Sequence, residues 1–477
     1  MKVLVANRGE IACRVMRTLR EMGIASVAVH SDVDRGAPHT WIADEAVELG
    51  DARSYLDIAA VIGAAKKTGA TMIHPGYGFL SQSAPFASAC RDAGITFIGP
   101  SPEAMVALAD KRGSRRTAEE QGVPVVPGER DCDTLDAVKA ATDKIGFPIL
   151  IKAAGGGGGK GMRLVAGAAE LAEAFEAAKR ESASSFNDDR LIVEKVIHPA
   201  RHIEVQILGD GKDAVALAER ECSLQRRYQK VIEEGPSLAI SAKTRQGLFE
   251  SAVKLARATK YANAGTVEFL IGPDGQHYFL EVNARIQVEH PVTEMVLGLD
   301  LVKLQVEIAQ GGKLPAPPWR RGHAIEARLN AEDPYGGFLP QSGRVLMLEW
   351  PHIPQVRIDS GIREGGEIQP FYDPLLAKII ALGEDREQAR RRLVEALRET
   401  TLLGVTTNQP FLLQVLESEM FMRGETYTTT LESMEWKEPP VPEFVAAAAK
   451  RAMAVKAASG ESGPADRHSP WTGSFGR

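Results

Sequence analysis

The sequence predicts a mixed α/β (α+β) chain that begins with a doubly wound parallel sheet. Over residues 1–110, short apolar segments alternate with amphipathic helical patterns, which is typical of parallel strands joined by helices. Further along, residues 265–283 have the pattern of a strand, a Gly-Pro-Asp-Gly turn and a returning strand, which predicts an antiparallel hairpin. Together these observations predict a parallel N-terminal sheet followed by a body that contains antiparallel strands.

In the N-terminal part, the apolar runs at 2–6, 26–30 and 71–74 are predicted strands, and the patterns at 11–19 and 57–67 are predicted helices. The first turn, Asn7-Arg8-Gly9-Glu10, lacks the G-x-G-x-x-G pattern of a dinucleotide site. A ligand is therefore expected elsewhere in the chain.

A second unit is predicted over residues 130–203, where a glycine run interrupts regular elements. Its predicted helices are 133–145 and 168–183, and its predicted strands are 149–153, 163–165 and 191–197. Residues 204–320 contain further strands, and residues 323–432 mix strands with helices such as 386–400. From residue 437 the pattern decays, so we expect a helix at 441–457 followed by a poorly ordered tail.

Composition narrows the class of protein. The 477 residues are 44% hydrophobic and 25% charged with a net charge of −6, so no general basic field favours nucleic acid. Four scattered cysteines, Cys13, Cys90, Cys132 and Cys222, support neither a zinc site nor a disulfide framework. The N-terminus has no signal-peptide pattern, and no apolar run reaches the ~18 residues of a membrane helix. We expect a cytoplasmic enzyme with no membrane partner.

The hairpin carries two carboxylates, one in each arm. If residues 273–276 form the loop, Ile271 faces position 278 and Glu268 faces Glu281. The alternation of side chains then places Asn283 and Arg285 on the face of Glu281. Opposed carboxylates repel each other, and a divalent cation such as magnesium or manganese removes that penalty. The alternative is an exposed edge pair that solvated side chains tolerate.

The glycine run Gly155–Gly159 follows the apolar strand that contains Lys152. Bare backbone N–H groups can approach an anion closely, so we favour a phosphate-covering loop over a flexible connection. A buried lysine usually needs an anionic partner, which makes Lys152 a candidate phosphate ligand and Lys111 a weaker one. The segment Glu194–Ile197 could offer its backbone to an adenine edge or could be a plain strand end.

Three further segments contain chemically capable side chains. His202, Glu204 and Gln206 alternate with apolar residues, which on its own favours a half-exposed strand. The charged run 219–230 is either a solvated loop or an anion site. Arg285, Gln287 and Glu289 directly follow the carboxylate hairpin, and an arginine beside a carboxylate and a metal can bind a small anion and remove its proton. His290, before a proline, is expected to be structural.

Several motifs together resemble those of the biotin carboxylase family, in its stand-alone form or as the N-terminal part of acyl-CoA carboxylase α subunits. These motifs are Val5-Ala6-Asn7-Arg8-Gly9-Glu10-Ile11-Ala12, His74-Pro75-Gly76-Tyr77-Gly78-Phe79-Leu80-Ser81, the glycine run, Glu281 to Glu294, Gly322 to Arg328, and Tyr372 to Lys378. The resemblance covers residues 1–435 and implies a three-part ATP-grasp fold. The implied parts are an N-terminal α/β domain (1–112), an ATP-grasp region (113–322) with a mobile lid at 130–203, and a C-terminal mixed α/β body (323–436), before the tail at 437–477.

The resemblance also implies an activity, which is ATP-dependent carboxylation of biotin by bicarbonate through carboxyphosphate. The implied ATP site consists of Lys111, Lys152, Gly155, Gly156, Gly157, Gly158, Gly159, Glu194, Lys195, Ile197, His202 and Gln225. The implied metal ligands, for two Mg²⁺ or Mn²⁺ ions, are Glu268, Glu281 and Asn283. The implied bicarbonate site consists of Lys230, Arg285, Gln287, the Val288 backbone and the base Glu289. Arg328 would stabilise the biotin enolate, and Tyr77 would lie near the biotin.

The implied partners are a biotin carboxyl carrier protein and a carboxyltransferase subunit, and a homodimer is expected. The only Met-Lys pair is Met1-Lys2, so biotin is expected as a substrate on another chain. The sequence departs from the family at Tyr228, where histidine is usual, at Lys160, where arginine is common, and at 112–116, which is more basic than usual. Two alternatives remain, namely another carboxylating or carbamoylating ATP-grasp ligase and a non-catalytic nucleotide-binding assembly subunit.

Overall fold

A computed structural model describes residues 1–155, 161–316 and 318–440 of the chain. Residues 1–436 form one compact unit, and residues 437–477 form a second segment of which only the first four residues are described. The helix predicted at 441–457 and the tail after it lie outside the described residues. In the described part of the chain, no helix is both long and apolar enough to cross a bilayer.

The N-terminal sheet has five parallel strands in the order β3-β2-β1-β4-β5. Its strands are β1 (Lys2–Val5), β2 (Ala25–Ser31), β3 (Glu45–Gly50), β4 (Met72–His74) and β5 (Thr96–Phe97). The helices of this part are α1 (Gly9–Glu21), α2 (His39–Ile42), α3 (Ile58–Thr68) and α4 (Ala84–Asp92), with 3₁₀ turns at Asp32–Asp34 and Ser54–Leu56. The order reverses after β1, which confirms the predicted doubly wound sheet. The edge strand β3, which is acidic and largely exposed, was not predicted.

The next part is a small four-stranded sheet, all of whose strand pairs are antiparallel, in the order β6-β9-β7-β8. Its strands are β6 (Gly128–Glu129), β7 (Ile149–Ala153), β8 (Arg163–Val165) and β9 (Leu191–Lys195). Its helices are α5 (Pro102–Ala109) and α6 (Lys111–Glu120), which precede the sheet, and α7 (Leu135–Ile145) and α8 (Leu171–Phe186), with a 3₁₀ turn at Ala168–Glu170. α8 packs on β7 and β8, and Phe175 joins Ile149 and Ile151 in a separate hydrophobic core.

The centre of the protein is an eight-stranded antiparallel sheet in the order β14-β13-β10-β11-β12-β15-β22-β20. From residue 201 onward the strands are β10 (Arg201–Asp210), β11 (Ala214–Arg226), β12 (Gln229–Gly235), β13 (Ala262–Ile271), β14 (His277–Asn283), β15 (His323–Asn330), β16 (Glu332–Asp333), β17 (Leu339–Pro340), β18 (Gly343–Arg344), β19 (Met347–Glu349), β20 (Val356–Ser360), β21 (Glu367–Ile368), β22 (Leu375–Gly383) and β23 (Thr401–Leu403). The helices are α9 (Ala242–Ala258), α10 (His290–Leu297), α11 (Leu301–Ala309), α12 (Arg386–Glu399), α13 (Gln409–Glu417), α14 (Glu419–Arg423) and α15 (Thr430–Ser433).

This sheet corrects two sequence interpretations. β10 lies inside the sheet, and Glu204 and Gln206 on it are fully buried, so the half-exposed strand is wrong. The run 219–230 is not a solvated loop, because most of it forms β11 and the start of β12. Polar side chains on these strands are buried because they bond one another. The alternation of polar and apolar residues along one strand cannot show whether its polar face is buried or exposed.

Candidate active site

The carboxylate hairpin forms between β13 and β14 with a loop at 272–276. Glu268 lies opposite Glu281, as the sequence predicted. The predicted register at the turn is wrong, however, because Ile271 pairs with His277 and not with position 278. A β-bulge at Leu280 absorbs the extra residue and brings the two acids opposite each other.

The neighbouring strands extend this pair into a row of charged residues. Glu204 on β10 lies opposite Glu268, and Arg220 on β11 lies opposite Glu204. Arg220 is fully buried, and its Nε lies 2.5 Å from Glu204 Oε1. The sheet therefore gathers three carboxylates, Glu281, Glu268 and Glu204, across adjacent strands, and flanks them with one buried arginine.

Lys230 on β12 is the central cation of the cluster. Its Nζ lies 2.6 Å from Glu204 Oε2, 2.8 Å from Glu268 Oε1 and 2.7 Å from Glu289 Oε1. Burial alone would lower the pKa of Lys230, but the three carboxylates raise that pKa well above its usual value. Lys230 is therefore a fixed positive charge.

The predicted metal ligands lie together. Asn283 Nδ2 is 2.9 Å from Glu268 Oε1 and 3.4 Å from Glu281 Oε1. His202 Nε2 is 3.1 Å from the other Glu268 oxygen, Oε2. Burial would raise the pKa of Glu268, but Lys230 and His202 hold that pKa below its usual range, so it is an anion. Carboxylate and amide oxygens are the ligands that magnesium and manganese prefer, so this donor set fits the predicted ions.

Arg285 and Gln287 lie beside the predicted metal ligands. Arg285 Nη1 donates to Gln287 Oε1 at 2.6 Å, and its Nη2 donates to Asn283 Oδ1 at 3.2 Å. Gln287 Nε2 in turn donates to Glu268 Oε1 at 2.9 Å. The acceptor oxygens of Gln287 and Asn283 are both uncharged. They therefore do not balance the positive charge of the guanidinium, which can attract an anionic ligand.

Glu289 connects Lys230 with Arg328. Its Oε1 accepts from Lys230, and its Oε2 accepts from Arg328 Nη2 at 3.0 Å. Burial would raise the pKa of Glu289, but Lys230 and Arg328 hold it well below its usual value. Arg328 Nε also donates to Glu233 Oε1 at 2.5 Å, and burial raises the pKa of Glu233 to about 7.

Tyr77 reaches this cluster through Lys378. The fully buried Lys378 lies opposite Arg328 in the β15–β22 register, and its Nζ donates to the Val288 carbonyl at 3.0 Å. The same ammonium is 5.9 Å from the centre of the Tyr77 ring. The two predicted biotin contacts, Tyr77 and Arg328, therefore flank one buried lysine.

The predicted nucleotide residues line a cavity of about 400 Å³ between the small sheet and the large one. Its lining includes Lys111, Lys152, Glu194, Lys195, Ile197, His202 and Gln225, with Tyr228, Glu268 and Glu281 also at its wall. Lys152 has the anionic partner that its burial required, since its Nζ bonds Glu194 Oε2 at 2.5 Å. Gly155 follows β7, whereas Gly156–Gly159 and Lys160 lie outside the described residues.

Sequence reasoning missed four buried charged residues of this region. Glu204 was placed on the face of His202 but given no role, and Arg220, Glu233 and Arg115 were given none either. The ion pairs that place them in the site, Arg220–Glu204, Arg115–Glu194 and Glu233–Arg328, join residues 16 to 95 apart in sequence, so no local pattern could connect them. His290, expected to be structural, is fully buried with Nδ1 2.7 Å from the Gln287 carbonyl.

The chain matches three family models. These are the biotin carboxylase N-terminal domain over residues 1–105, the ATP-binding domain of the carbamoyl-phosphate synthase L chain over 110–317, and the biotin carboxylase C-terminal domain over 326–433. It is 47% identical over 442 residues to a biotin carboxylase of Nostoc sp., covering 91% of this chain and 99% of that protein. It is 48% identical over 444 residues to the mitochondrial propionyl-CoA carboxylase alpha chain of Homo sapiens. The match covers 91% of this chain but only 61% of that longer protein.

Solved structures agree with these sequence relationships. A biotin carboxylase–beta-gamma-ATP complex from Campylobacter jejuni superposes with a TM-score of 0.89 at 39% identity, covering 91% of this chain and 98% of that chain. The biotin carboxylase domain dimer of Hydrogenobacter thermophilus 2-oxoglutarate carboxylase, in complex with MgADP, ADP and bicarbonate, gives 0.88 at 40% identity and covers 92% and 99% of the two chains.

The fold is that of an ATP-grasp protein. The chain belongs to the biotin carboxylase family, which confirms the family and the fold class predicted from the sequence.

Proposed function

We propose that this protein carboxylates biotin with bicarbonate at the expense of ATP, through carboxyphosphate. The single observation that carries the proposal is the position of Glu289. Its carboxylate lies between Lys230 and Arg328, and Lys230 also bonds Glu268, which lines the nucleotide cavity. The cluster therefore combines a proposed base, anion-binding residues and metal ligands, and it adjoins the nucleotide cavity.

The first step uses Arg285, Gln287 and Lys230 to bind bicarbonate, with the Val288 backbone beside it. When the anion takes part of the Lys230 charge, Glu289 loses some of the stabilisation that lowers its pKa, so its affinity for a proton rises. Glu289 then removes the bicarbonate proton, and the deprotonated oxygen attacks the ATP γ-phosphorus. The bond to the β-phosphate oxygen breaks, which gives ADP and carboxyphosphate.

Lys111, Lys152, His202 and the glycine run Gly155–Gly159 would hold the phosphates, and Glu194, Lys195, Ile197 and Gln225 would surround the nucleoside. Glu268, Glu281 and Asn283 would hold Mg²⁺ or Mn²⁺, which when bound neutralises negative charge on the phosphates.

The second step breaks carboxyphosphate into carbon dioxide and phosphate. The phosphate trianion takes the proton from the biotin ureido nitrogen, and the nitrogen of the resulting enolate attacks carbon dioxide. Arg328, held by Glu233, would stabilise the enolate oxygen, and Tyr77 would lie alongside the biotin ring. The carbon of bicarbonate ends as the carboxyl group on the biotin nitrogen, and the γ-phosphate of ATP is released as inorganic phosphate.

We further propose that the biotin is carried by a separate carrier protein and that a carboxyltransferase subunit uses the product. The named relatives support this, since they include alpha chains of propionyl-CoA and methylcrotonoyl-CoA carboxylases. We also propose that the protein is a cytoplasmic homodimer. Each chain would have three domains, at residues 1–112, 113–322 and 323–436. The dimeric biotin carboxylase domain of the Hydrogenobacter enzyme supports the oligomeric state.

The test is ATP cleavage measured with and without bicarbonate and free biotin. The proposal expects cleavage that depends on bicarbonate and is stimulated by biotin, with carboxybiotin formed. Carbamoylation in place of carboxybiotin formation would indicate another ATP-grasp ligase, and nucleotide binding without turnover would indicate an assembly subunit.

A further inference from the structure

The nucleotide cavity contains a buried carboxylate between two cations. Glu194 is only 7% exposed, and it bonds Lys152 Nζ at 2.5 Å with Oε2 and Arg115 Nη1 at 2.9 Å with Oε1. Burial would raise the pKa of Glu194, but Lys152 and Arg115 keep it below its usual value. All three side chains line the cavity that is the proposed ATP site.

Arg115 is fixed independently of Lys152. It lies one turn after Lys111 on α6, on the same helix face. Its Nη2 donates to the Val126 carbonyl at 2.5 Å, and its Nε lies 3.2 Å from Glu119 Oε1. Among the arginines of the unusually basic segment 112–116, Arg115 is the one that is buried, at 5% exposure, and that lines the cavity.

Lys152 has two competing demands in the ATP-bound protein. A phosphate group that recruits its ammonium withdraws a positive charge from Glu194. A buried carboxylate left without a cation is strongly unfavourable, so such a withdrawal would oppose nucleotide binding. Arg115 removes this conflict because it keeps Glu194 paired while the lysine turns to the phosphates.

We propose that Arg115 is a positioning residue for ATP: it holds the charge of Glu194 so that Lys152 is available to the nucleotide phosphates. The inference rests on the proposed function only in assigning this cavity to ATP. In this proposal Arg115 acts through Lys152 and does not itself bind the nucleotide.

The first experiment measures ATP and ADP dissociation constants by calorimetry on the full chain, without bicarbonate or biotin. Arg115→Gln is expected to raise both constants about tenfold or more, a change of about 1.4 kcal/mol per factor of ten. Arg115→Lys, which keeps the charge, is expected to recover most of the affinity. The matched control is Arg116→Gln, which removes the same charge from an exposed position on α6 and should leave both constants unchanged.

A double-variant cycle separates positioning from a structural or general electrostatic role. In a Glu194→Gln background no carboxylate competes for Lys152, so adding Arg115→Gln should change the constants less than twofold. A tenfold loss in that background would overturn the proposal, as would unchanged affinity in Arg115→Gln alone. If Arg115→Gln alone does not fold, the test is the comparison of nucleotide affinity between Glu194→Gln and the double variant. Both of these proteins lack the Glu194 carboxylate, so neither leaves it buried and unpaired. Failure of the wild-type protein to bind ATP would instead refute the proposed function.

Discussion

At the residue scale, Glu289 lies between two cations, with Lys230 on one carboxylate oxygen and Arg328 on the other. These cations hold the pKa of Glu289 well below its usual value, so its carboxylate is ionised and can accept a proton once an anion shares the charge of Lys230. In the proposed mechanism, the arrival of bicarbonate therefore activates the base.

Glu289→Gln keeps the shape of the side chain and removes the base. We expect biotin carboxylation to fall by about 10²–10⁴-fold, the usual contribution of a general base. ATP should still bind within about twofold of wild type, because Glu289 lies outside the lining of the nucleotide cavity. The measurements are steady-state carboxylation and ATP calorimetry on the same preparation. Unchanged turnover would remove Glu289 from its assigned role.

Arg328→Ala tests the proposed enolate contact. It should abolish carboxylation while ATP binding persists, as Arg328 also lies outside the cavity lining. The substitution leaves Glu233 and Glu289 buried without their shared arginine, which could lower stability by about 3–5 kcal/mol. Thermal unfolding of the variant is therefore the necessary control, and turnover equal to wild type in a folded variant would contradict the assignment.

Residues within one local pattern were the predictable part of this site. The spacing along the hairpin predicted that Glu268, Glu281, Asn283 and Arg285 lie together, but it did not predict the bulge at Leu280 that sets Glu268 opposite Glu281. Motif resemblance supplied the remaining candidates. Glu233 is different, because its contact with Arg328 joins β12 to β15 across 95 residues of sequence. Such pairs depend on the order of strands in the sheet, which periodicity along one strand does not contain.

At the element scale, the β13–β14 hairpin holds two acids in opposed positions. Like charges directly opposite each other destabilise a sheet by up to about 1 kcal/mol, so we expect this pair to lower stability when no cation lies between the two acids. Glu281→Gln should therefore raise the free energy of unfolding in EDTA by a few tenths of a kcal/mol to about 1 kcal/mol. The same variant should bind Mn²⁺ more weakly in the presence of ADP.

Urea denaturation in EDTA and Mn²⁺ titration followed by electron paramagnetic resonance measure the two effects. Glu250→Gln is a matched control, because it removes an exposed carboxylate from α9 and should alter neither quantity. Mn²⁺ affinity unchanged in Glu281→Gln would show that this acid is not a metal ligand.

Elements bounded by turn residues were predicted with little error. β7 and β8 have the bounds that the sequence indicated, because Pro148 directly precedes β7 and a glycine lies two residues after the end of each strand. β10 and β11 were misjudged, since Glu204 on the polar face of β10 bonds Arg220 and Lys230 from other strands, and Arg220 also bonds Thr293 of α10. α9 packs against the opposite, apolar face of β10. Burial of a polar face is a tertiary property, and alternation alone indicates only that the two faces differ.

At the scale of the whole molecule, buried titratable groups couple stability to pH. Burial lowers the pKa of His39 and of His74 to about 4 each. His74 Nδ1 accepts from the Gly76 N–H at 3.0 Å, which fixes the neutral ring. Burial has the opposite effect on Glu10 and Glu233, whose pKa values rise to about 7.

The unfolded chain protonates His74 near pH 6.5, whereas the folded protein does so only near pH 4. The contribution of His74 to stability is therefore present above pH 6.5 and is lost as pH falls towards 4, by up to about 3 kcal/mol. Because Glu10 and Glu233 favour folding at lower pH, the comparison must be made between wild type and His74→Gln. Denaturant unfolding at pH 7 and 5 should show a shallower acid loss in the variant. An identical slope in both proteins would contradict a neutral, buried His74.

The central claim is that bicarbonate oxygen attacks the γ-phosphorus of ATP. Turnover with ¹⁸O-labelled bicarbonate and free biotin, followed by mass spectrometry of the released phosphate, tests it directly. Attack by bicarbonate leaves its oxygen on phosphorus when carboxyphosphate breaks down, so each phosphate should carry one ¹⁸O. Unlabelled phosphate would mean that water cleaves the ATP, and would contradict a carboxyphosphate intermediate.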